Sequence, residues 1–433
     1  MAIRSMTLCL IFPLFLLYSV SRARARVPDS DTFTLVNAGE FGEYFPENGA
    51  SYRLLPIGNY LFQLCFYNTT PDAFHLAMLM GNEDSDFSFL RFVWEANRYS
   101  PVAENATLSF NRDGNLVLAN PGGGVVWSTD TADKGVVGLG VLENGNLLLY
   151  DKKRNIVWQS FDHPTDTLLV GQSLRLGGPA KLISAGDEEG SVGRYSLVLQ
   201  PNGLEMYLNL GENKTLSYSG DKFRYRGTSP PSSVTLTFGP EEPGSSVYVV
   251  GLSNPGDVYA RTFFNSTFSF MRLEYDGNIK VYTYYEKAEY ASWAETFTQF
   301  SEREHLTRCS LPGFCGALGV CENEMCVACP RPQGLLGWSK DCRPPELGRS
   351  CGDEKAIGYY KVEGVEHFLG AHDAGAGAVV KKVDECRGRC SRDCSCLGFA
   401  YKKESSRCLL FPFIGTLSKV DDHRRSVYIK VAK

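Results

Sequence analysis

A hairpin-like unit that occurs twice without a gap constrains the fold most strongly. The copies are "DGNLVLANPGGGVVW", Asp113 to Trp127, and "NGNLLLYDKKRNIVW", Asn144 to Trp158. Each contains a turn, an alternating apolar strand, a second turn and a short strand that ends in tryptophan, which is the pattern of a β-hairpin. Trp94 lies 33 residues before Trp127 and indicates a third unit. Such short units cannot bury a face alone, so the pattern predicts a closed β assembly with the tryptophans inside.

The region between Leu174 and Phe300 repeats the same plan in a more divergent form. The stretches "RYSLVLQPNGLEMYL" and "MRLEYDGNIKVYTYY" each place an Asn-Gly or Asp-Gly turn between two apolar strands. A second three-part β unit is the simplest interpretation of this pattern.

The first 25 residues have the features of a secretory signal. Arg4 precedes an apolar run from Leu8 to Val20, and "ARA" ends at Ala25. The run is shorter than the roughly 20 residues that a membrane span needs. We therefore expect cleavage near Ala25 or Ser21, secretion to the extracellular space or cell wall, and no membrane span. Four sequons in this compartment predict N-glycosylation at Asn68, Asn105, Asn213 and Asn265.

The cysteines divide the chain. Apart from Cys9 in the signal and a solitary Cys65, all twelve lie between Cys309 and Cys408, in two blocks of six. An even count in short blocks of a secreted chain predicts two disulfide modules, although six cysteines allow fifteen pairings. The pair Cys326 and Cys329 lacks the context of a redox or zinc site, so no metal is predicted. Cys65 lies in an apolar strand and is predicted to be a buried thiol.

Several longer stretches resemble a known plant family. "FVWEANRYSP", "DGNLVLANPGGGVVWST" and "NIVWQSFDHPTDTLLVGQSL" resemble the bulb-type (monocot mannose-binding) lectin domain of S-locus glycoproteins and S-domain receptor kinases. The first cysteine block resembles their EGF-like module, and "CGDE…ECRGRCSRDCSCLGFAY…C" resembles their PAN/apple module. Among these proteins the chain is most similar to the kinase-less, epidermis-specific extracellular glycoproteins.

The resemblance implies an all-β chain with two tandem β-prism lectin-type domains, then an EGF-like module and a PAN/apple module. A short helix is expected around Lys382 to Gly388, where apple modules usually carry one. The expected division is a signal peptide over 1–25, a bulb-type lectin β-prism over 26–173, a second divergent prism over 174–304, an EGF-like module over 305–346 and a PAN/apple module over 347–433.

The family motif for mannose, Q-x-D-x-N-x-V-x-Y, is incomplete in both units. Alternate residues of a strand share one face, so the five motif positions can line one groove. The first unit offers Asn111, Asp113, Asn115, Val117 and Ala119, and the second offers Leu142, Asn144, Asn146, Leu148 and Tyr150. The weak carbohydrate site predicted from these consists of Asn111, Asp113, Asn115, Val117, Asn144, Asn146 and Tyr150.

The resemblance also implies the disulfide pairs. In the PAN/apple module these are Cys386 with Cys408 and Cys390 with Cys396, which leaves Cys351 for Cys394. EGF-like pairing implies Cys309 with Cys321, Cys315 with Cys326, and Cys329 with Cys342.

A carbohydrate-binding scaffold without catalysis is the function that these features favour. The six histidines show no metalloprotease spacing, and no H-R-D or D-F-G kinase element occurs. No cofactor and no nucleic-acid partner are predicted. Mannose-containing glycans are the candidate ligands. The alternative is a protein that binds or modulates S-domain receptor kinases, or pairs with itself, through its EGF-like and PAN surfaces.

Overall fold

A computed structural model describes most of the chain after the predicted signal. The described ranges are 26–81, 90–186, 191–211, 215–218, 232–243, 245–253, 258–262, 268–285, 293–301, 306–348, 354–372 and 377–433. The predicted signal over 1–25, the sequons at Asn213 and Asn265, and Cys351 lie outside them. The described chain is all-β with two short α-helices, which confirms the predicted fold class.

Three antiparallel sheets form the first β-prism. Its strands are β1 (Phe33–Val36), β2 (Ser51–Gly58), β3 (Phe62–Asn68), β4 (His75–Met80), β5 (Arg91–Glu95), β6 (Thr107–Phe110), β7 (Leu116–Ala119), β8 (Val125–Ser128), β9 (Val136–Val141), β10 (Leu147–Asp151) and β11 (Ile156–Gln159). The sheet orders are β2-β3-β4-β5, β1-β6-β7-β8 and β11-β10-β9. Short 3-10 turns occur at Asp29–Asp31, Glu47–Gly49 and Ser160–Asp162.

The repeated sequence unit explains how each hairpin is built. In β7, Leu116 and Leu118 are buried while Val117 and Ala119 are half-buried, so the alternating pattern gives an inner and an outer face. Gly114 adopts φ +86°, and a Cβ there would lie 2.6 Å from the Val136 side chain. Both the left-handed backbone and the close approach require glycine at this turn.

One tryptophan from each sheet meets at the prism axis. The ring centroids of Trp94, Trp127 and Trp158 lie 5.8 to 6.1 Å apart in edge-to-face pairs. Trp94 is buried, and Trp127 and Trp158 are half-buried and pack against the same core, so the three tryptophans meet inside the prism as expected, with two of them partly exposed. Cys65 on β3 is a fully buried free thiol whose pKa is raised by burial and by the charge of Glu95.

The second β-prism repeats the three-sheet plan. Its strands are β12 (Thr167–Leu169), β13 (Ser173–Arg175), β14 (Lys181–Ala185), β15 (Val192–Gln200), β16 (Gly203–Asn209), β17 (Thr215–Ser217), β18 (Ser233–Pro240), β19 (Tyr248–Leu252), β20 (Val258–Thr262), β21 (Ser269–Leu273), β22 (Ile279–Tyr284) and β23 (Trp293–Thr298). They form sheets β12-β21-β22-β23, β13-β18-β19-β20 and β14-β15-β16-β17. Because β12 pairs with β21, strand pairing assigns Thr167–Leu169 to this prism rather than to the domain expected to end at residue 173.

The C-terminal part combines the two disulfide modules. Its elements are a 3-10 turn (Arg308–Ser310), β24 (Leu318–Glu322), β25 (Met325–Arg331), β26 (Gly334–Gly337), β27 (Ile357–Glu363), β28 (Val365–His367), α1 (Phe368–His372), β29 (Ala378–Val379), α2 (Val383–Arg392), β30 (Gly398–Lys402), β31 (Arg407–Phe411), β32 (Gly415–Lys419) and β33 (Ser426–Ala432). Helix α2 lies where a short helix was expected. Strand β24 pairs in parallel with β32, so one sheet, β26-β25-β24-β32-β28, runs across the expected boundary at residue 346.

Five disulfides between described residues stabilise this part. The bonded pairs are Cys309–Cys321, Cys315–Cys326, Cys329–Cys342, Cys386–Cys408 and Cys390–Cys396, the same pairs that the resemblance implies. Cys394 is also disulfide-bonded, and its expected partner Cys351 lies outside the described residues. Among the described residues, no helix is long and apolar enough to cross a membrane.

A buried histidine makes the C-terminal module sensitive to pH. The Nε2 of His367 lies 3.0 Å from the Phe413 carbonyl oxygen, and its Nδ1 accepts the Leu369 N–H at 3.2 Å. A carbonyl only accepts and a backbone N–H only donates, so the ring is neutral with its proton on Nε2. The ring also stacks on Phe411 with centroids 3.8 Å apart. Burial lowers the pKa of His367 to about 3.

We expect acidification from pH 7 to pH 5 to cost the module about 2 kcal/mol of unfolding free energy. The unfolded chain gains a proton at His367 below about pH 6.5, whereas the folded module gains it only near pH 3. Stability is therefore complete above pH 6.5 and falls as the pH drops toward 3. Hydrogen exchange of the β28 and β32 amides measures it. His367→Gln should flatten this dependence, and His423→Gln, at an exposed histidine, should leave it intact.

Candidate carbohydrate site

The first predicted site sits on the turn between β6 and β7. The Asn111 N–H donates to the Asn115 carbonyl oxygen at 2.9 Å, and the Gly114 N–H donates to the Asn111 carbonyl oxygen at 2.9 Å. The Asp113 carboxylate accepts the Asn115 N–H at 3.0 Å, so one of its oxygens already serves the turn. The Asn111 side chain is exposed. The Asp113 carboxylate, which would bind mannose hydroxyls in the family motif, thus stabilises the backbone of its own turn.

Asn115 connects the hairpin to the segment that follows β8. Its side-chain oxygen accepts the Thr129 hydroxyl at 3.1 Å and the Thr131 N–H at 3.0 Å. The Thr129 hydroxyl oxygen in turn accepts the Leu116 N–H at 3.1 Å. Both lone pairs of the Asn115 amide oxygen are therefore occupied by the protein, and only its NH₂ group is left for a ligand.

Asn146 has the same role in the second unit. It is 4% exposed, and its side-chain oxygen accepts the Ser160 hydroxyl and the Phe161 N–H, each at 3.3 Å. Its amide nitrogen donates to Gln159 at 2.8 Å. A pattern in the sequence indicates this role, since a Thr or Ser follows each asparagine after 14 residues, at Thr129 and at Ser160.

The remaining residues of the second unit are also held by the protein. The Asn144 side-chain oxygen accepts the Asn146 N–H at 3.3 Å, and its amide nitrogen donates to the Val170 carbonyl at 3.4 Å. The Tyr150 ring covers Gly138, where a Cβ would lie 2.5 Å from it, and carries the Arg154 guanidinium 4.3 Å from its centroid. Tyr150 therefore packs against its own sheet and a cation.

The outer face of β7 is apolar where the family motif has its last two positions. Val117 lies between Ser109 and Ser128 in the sheet register, and Ala119 lies between Thr107 and Val125. The structure thus places Val117 and Ala119 on one outer face beyond the turn that carries Asp113 and Asn115. It provides no tyrosine hydroxyl at residue 119.

The two described sequons differ in their surroundings. Asn105 is exposed in a left-handed turn with φ +64°. Asn68 is half-buried at the end of β3, and its amide nitrogen, the atom to which a glycan is attached, donates to the Thr70 carbonyl at 3.0 Å. Glycosylation at both stays a prediction, with Asn105 the more accessible. Within the described ranges, no group of three or more His, Cys, Asp or Glu side chains is arranged to hold a metal ion.

Family models match two parts of this chain. A model described as D-mannose binding lectin matches residues 91–181, which include all three prism tryptophans, and a PAN domain model matches residues 364–430. Together with the tandem prisms, these matches define a lectin scaffold that is joined to a disulfide-rich PAN region.

Similar proteins narrow this class to one family. EP1-like glycoprotein 1 of Arabidopsis thaliana is 43% identical over 95% of this chain and 96% of its own length. Epidermis-specific secreted glycoprotein EP1 of Daucus carota is 43% identical over 83% of this chain and 98% of its own. The chain belongs to the EP1-like glycoprotein family. A more distant relative, G-type lectin S-receptor-like serine/threonine-protein kinase SD2-2 of Arabidopsis thaliana, is 26% identical over 80% of this chain and 43% of its own length.

Proposed function

We propose that this chain is a secreted, non-enzymatic glycoprotein of the extracellular space and cell wall, whose lectin scaffold recognises mannose-type glycans only weakly at the first hairpin. Secretion is supported by the signal-like residues 1–25 and by the similarity to the secreted glycoprotein of carrot. The lectin scaffold is supported by the matched domain and the three-sheet prisms.

We infer weak binding because the protein itself uses the polar groups of the motif in internal hydrogen bonds. The Asp113 carboxylate and the Asn115 amide oxygen accept backbone and hydroxyl hydrogen bonds within the prism. Asn111 is one methylene shorter than the family glutamine, and Ala119 replaces the family tyrosine. Two lost hydrogen bonds at about 1 kcal/mol each would weaken mannose binding by roughly thirtyfold.

Restoring the two lost groups tests this account. We expect Asn111→Gln combined with Ala119→Tyr to strengthen binding of methyl α-mannoside by roughly thirtyfold, because both positions face outward and the changes restore about two hydrogen bonds. Calorimetric titration of the secreted, disulfide-bonded chain measures the gain. Tight mannoside binding by the unmodified chain, abolished by Asp113→Ala, would contradict weak recognition at this site.

A second candidate is interaction with an S-domain receptor kinase. The 26% identity to the receptor kinase extends over 80% of this chain, so a partner of related build could share its interaction surfaces. Specific capture of such a receptor ectodomain by a chain variant that carries Asp113→Ala would favour this candidate, since glycan binding at the first hairpin would then not be required.

A further inference from the structure

Charge is divided unevenly along this chain. Residues 26–378 contain 28 Lys or Arg and 43 Asp or Glu, a net charge of −15. Residues 379–433 contain 13 Lys or Arg and 6 Asp or Glu, a net charge of +7. Opposite charges on two parts of one chain favour contact between the acidic part of one copy and the basic part of another. On each part, unpaired charge coincides with exposed apolar surface at one place.

An exposed loop of the first prism, residues 39–45, carries acidic and aromatic side chains. We call it the acidic aromatic loop. Phe45 is 74% exposed, and Phe41 and Tyr44 are also exposed. The carboxylates of Glu40 and Glu43 are exposed, and neither forms an ion pair with another described residue. The loop therefore presents aromatic rings beside two negative charges that the protein itself does not neutralise.

The prism holds this loop in place. The buried Arg53 side chain donates from its Nε to the Gly39 carbonyl oxygen at 3.0 Å. The Phe45 carbonyl oxygen accepts the Leu90 N–H at 3.1 Å. The charge of Arg53 is balanced by the Glu104 carboxylate at 2.9 Å, so it is not left to neutralise the loop. A loop that is ordered before binding loses little conformational entropy when a partner docks.

A complementary surface lies on the C-terminal module, where β29 meets the turn between β30 and β31. Val379 is 65% exposed and lies opposite Arg407 in the register of β29 and β31. The Val380 N–H donates to the Ser406 carbonyl oxygen at 2.8 Å, which brings the residues after β29 to that turn. We call this surface the basic patch, and its residues are Val379, Lys381, Lys382, Lys403 and Arg407. It combines an exposed apolar side chain with four cations.

Three lysines of the basic patch have no acidic partner. Within the part of the chain that the structure describes, Lys381, Lys382 and Lys403 form no ion pair. Glu385 and Glu404, which are close to them in sequence, each lie 4.0 Å from an arginine instead. Ion pairs with acids are formed by six other cations of residues 379–433: Arg387, Arg392, Lys402, Lys419, Arg424 and Arg425. The positive surplus of the module is therefore concentrated at the basic patch.

We propose that the acidic aromatic loop of one copy of this chain binds the basic patch of a second copy. The Phe45 ring would pack against Val379, and the Glu40 and Glu43 carboxylates would pair with the lysines. A second copy is the favoured partner because every chain carries both complementary surfaces. The unpaired charges of each surface have one sign, so each surface repels itself and the contact is head-to-tail. This self-association requires no carbohydrate and is independent of the proposed function.

Charge reversal tests both surfaces together. The loop variant is Glu40→Lys with Glu43→Lys, and the patch variant is Lys381→Glu with Lys403→Glu, all at exposed residues. In sedimentation equilibrium at low salt, the full unmodified chain should associate as its concentration rises, and each variant alone should stay monomeric. An equimolar mixture of the two variants should associate again, because opposite charges then face each other in both contacts. Recovery in the mixture also shows that both variants are folded.

Salt and an apolar variant test the two components of the contact. Raising the salt concentration from about 50 mM to about 500 mM should weaken self-association at least tenfold, because the charges are exposed. Phe45→Ser should weaken it roughly tenfold. Val192→Ser is the matched control, since it removes an apolar side chain that is 63% exposed on the second prism, and it should leave association unchanged.

The secreted, glycosylated chain is used throughout, because Asn105, a predicted glycan site, donates its N–H to the Asn37 carbonyl oxygen just before the loop. An unmodified chain that stays monomeric up to about 0.5 mM at low salt would contradict the proposal. Association that persists in both charge variants, or that the mixture fails to restore, would show that other surfaces mediate it and would overturn the assignment.

Discussion

Replacing Trp127 by alanine should unfold the first β-prism while the disulfide modules stay folded. Trp127 lies on β8 and contacts Trp94 and Trp158 with ring centroids 6.0 and 5.8 Å away, so it joins all three sheets at the axis. Removing a core aromatic side chain typically costs about 3–5 kcal/mol, and the half-buried Trp127 should lose about 3 kcal/mol, at the lower end of that range. Hydrogen exchange of the β6, β7 and β8 amides in the full chain measures the loss locally.

A conservative variant shows whether the loss of stability comes from the missing aromatic ring at residue 127 or from any substitution there. Trp127→Phe keeps an aromatic ring at the axis and should retain most of the protection that Trp127→Ala removes. Amides of α2 and β30 are the internal reference, since this module has its own core and the disulfides Cys386–Cys408 and Cys390–Cys396. Equal protection of the prism in the alanine variant and the unmodified chain would show that the tryptophan trio does not hold the three sheets together.

The prism hairpins could be predicted because their information is local. The turn at Gly114 and the alternation of Leu116 and Leu118 lie within a few residues, and the period between Trp127 and Trp158 specifies how the hairpins assemble. The outer face of β7 could be assigned from the same alternation. The role of the motif residues in the fold could not be predicted in this way. The Asn115 side-chain oxygen accepts hydrogen bonds from Thr129 and Thr131, which follow it only after a complete hairpin.

Contacts between distant segments could not be predicted from the sequence. The parallel pairing of β24 with β32 joins Leu318 to Gly415, and neither strand carries a local sign of its partner. The partial exposure of Trp158 depends in the same way on how the second prism approaches the first. Periodicity predicts which face of a strand is apolar, but it cannot show how completely a neighbouring domain covers that face.

A nearly buried ion pair joins the two prisms, and we expect its disruption to destabilise their association. Arg272 on β21 donates to both carboxylate oxygens of Glu47 at 2.8 and 3.0 Å and to the Phe92 carbonyl oxygen at 2.6 Å. Both side chains of the ion pair are nearly buried, at 11% and 13% exposure. Burial alone would lower the pKa of Arg272, but the charges of Glu47 and Asp166 raise it well above its usual value.

Arg272→Met should destabilise the prism pair by about 3 kcal/mol, because breaking a buried ion pair leaves the other charge without its main partner. Arg91, 3.3 Å from Glu47, keeps the loss toward the lower end of the usual range. Adding Glu47→Gln should recover part of the stability, since a glutamine still accepts the Phe92 N–H that Glu47 holds at 2.8 Å. Differential scanning calorimetry of the full chain measures the stability of each variant.

Arg392→Met, which removes an exposed pair with Glu354, is the control and should leave the prism transition unchanged. A loss no larger than that of the control would mean that the Arg272–Glu47 pair does not hold the prisms together.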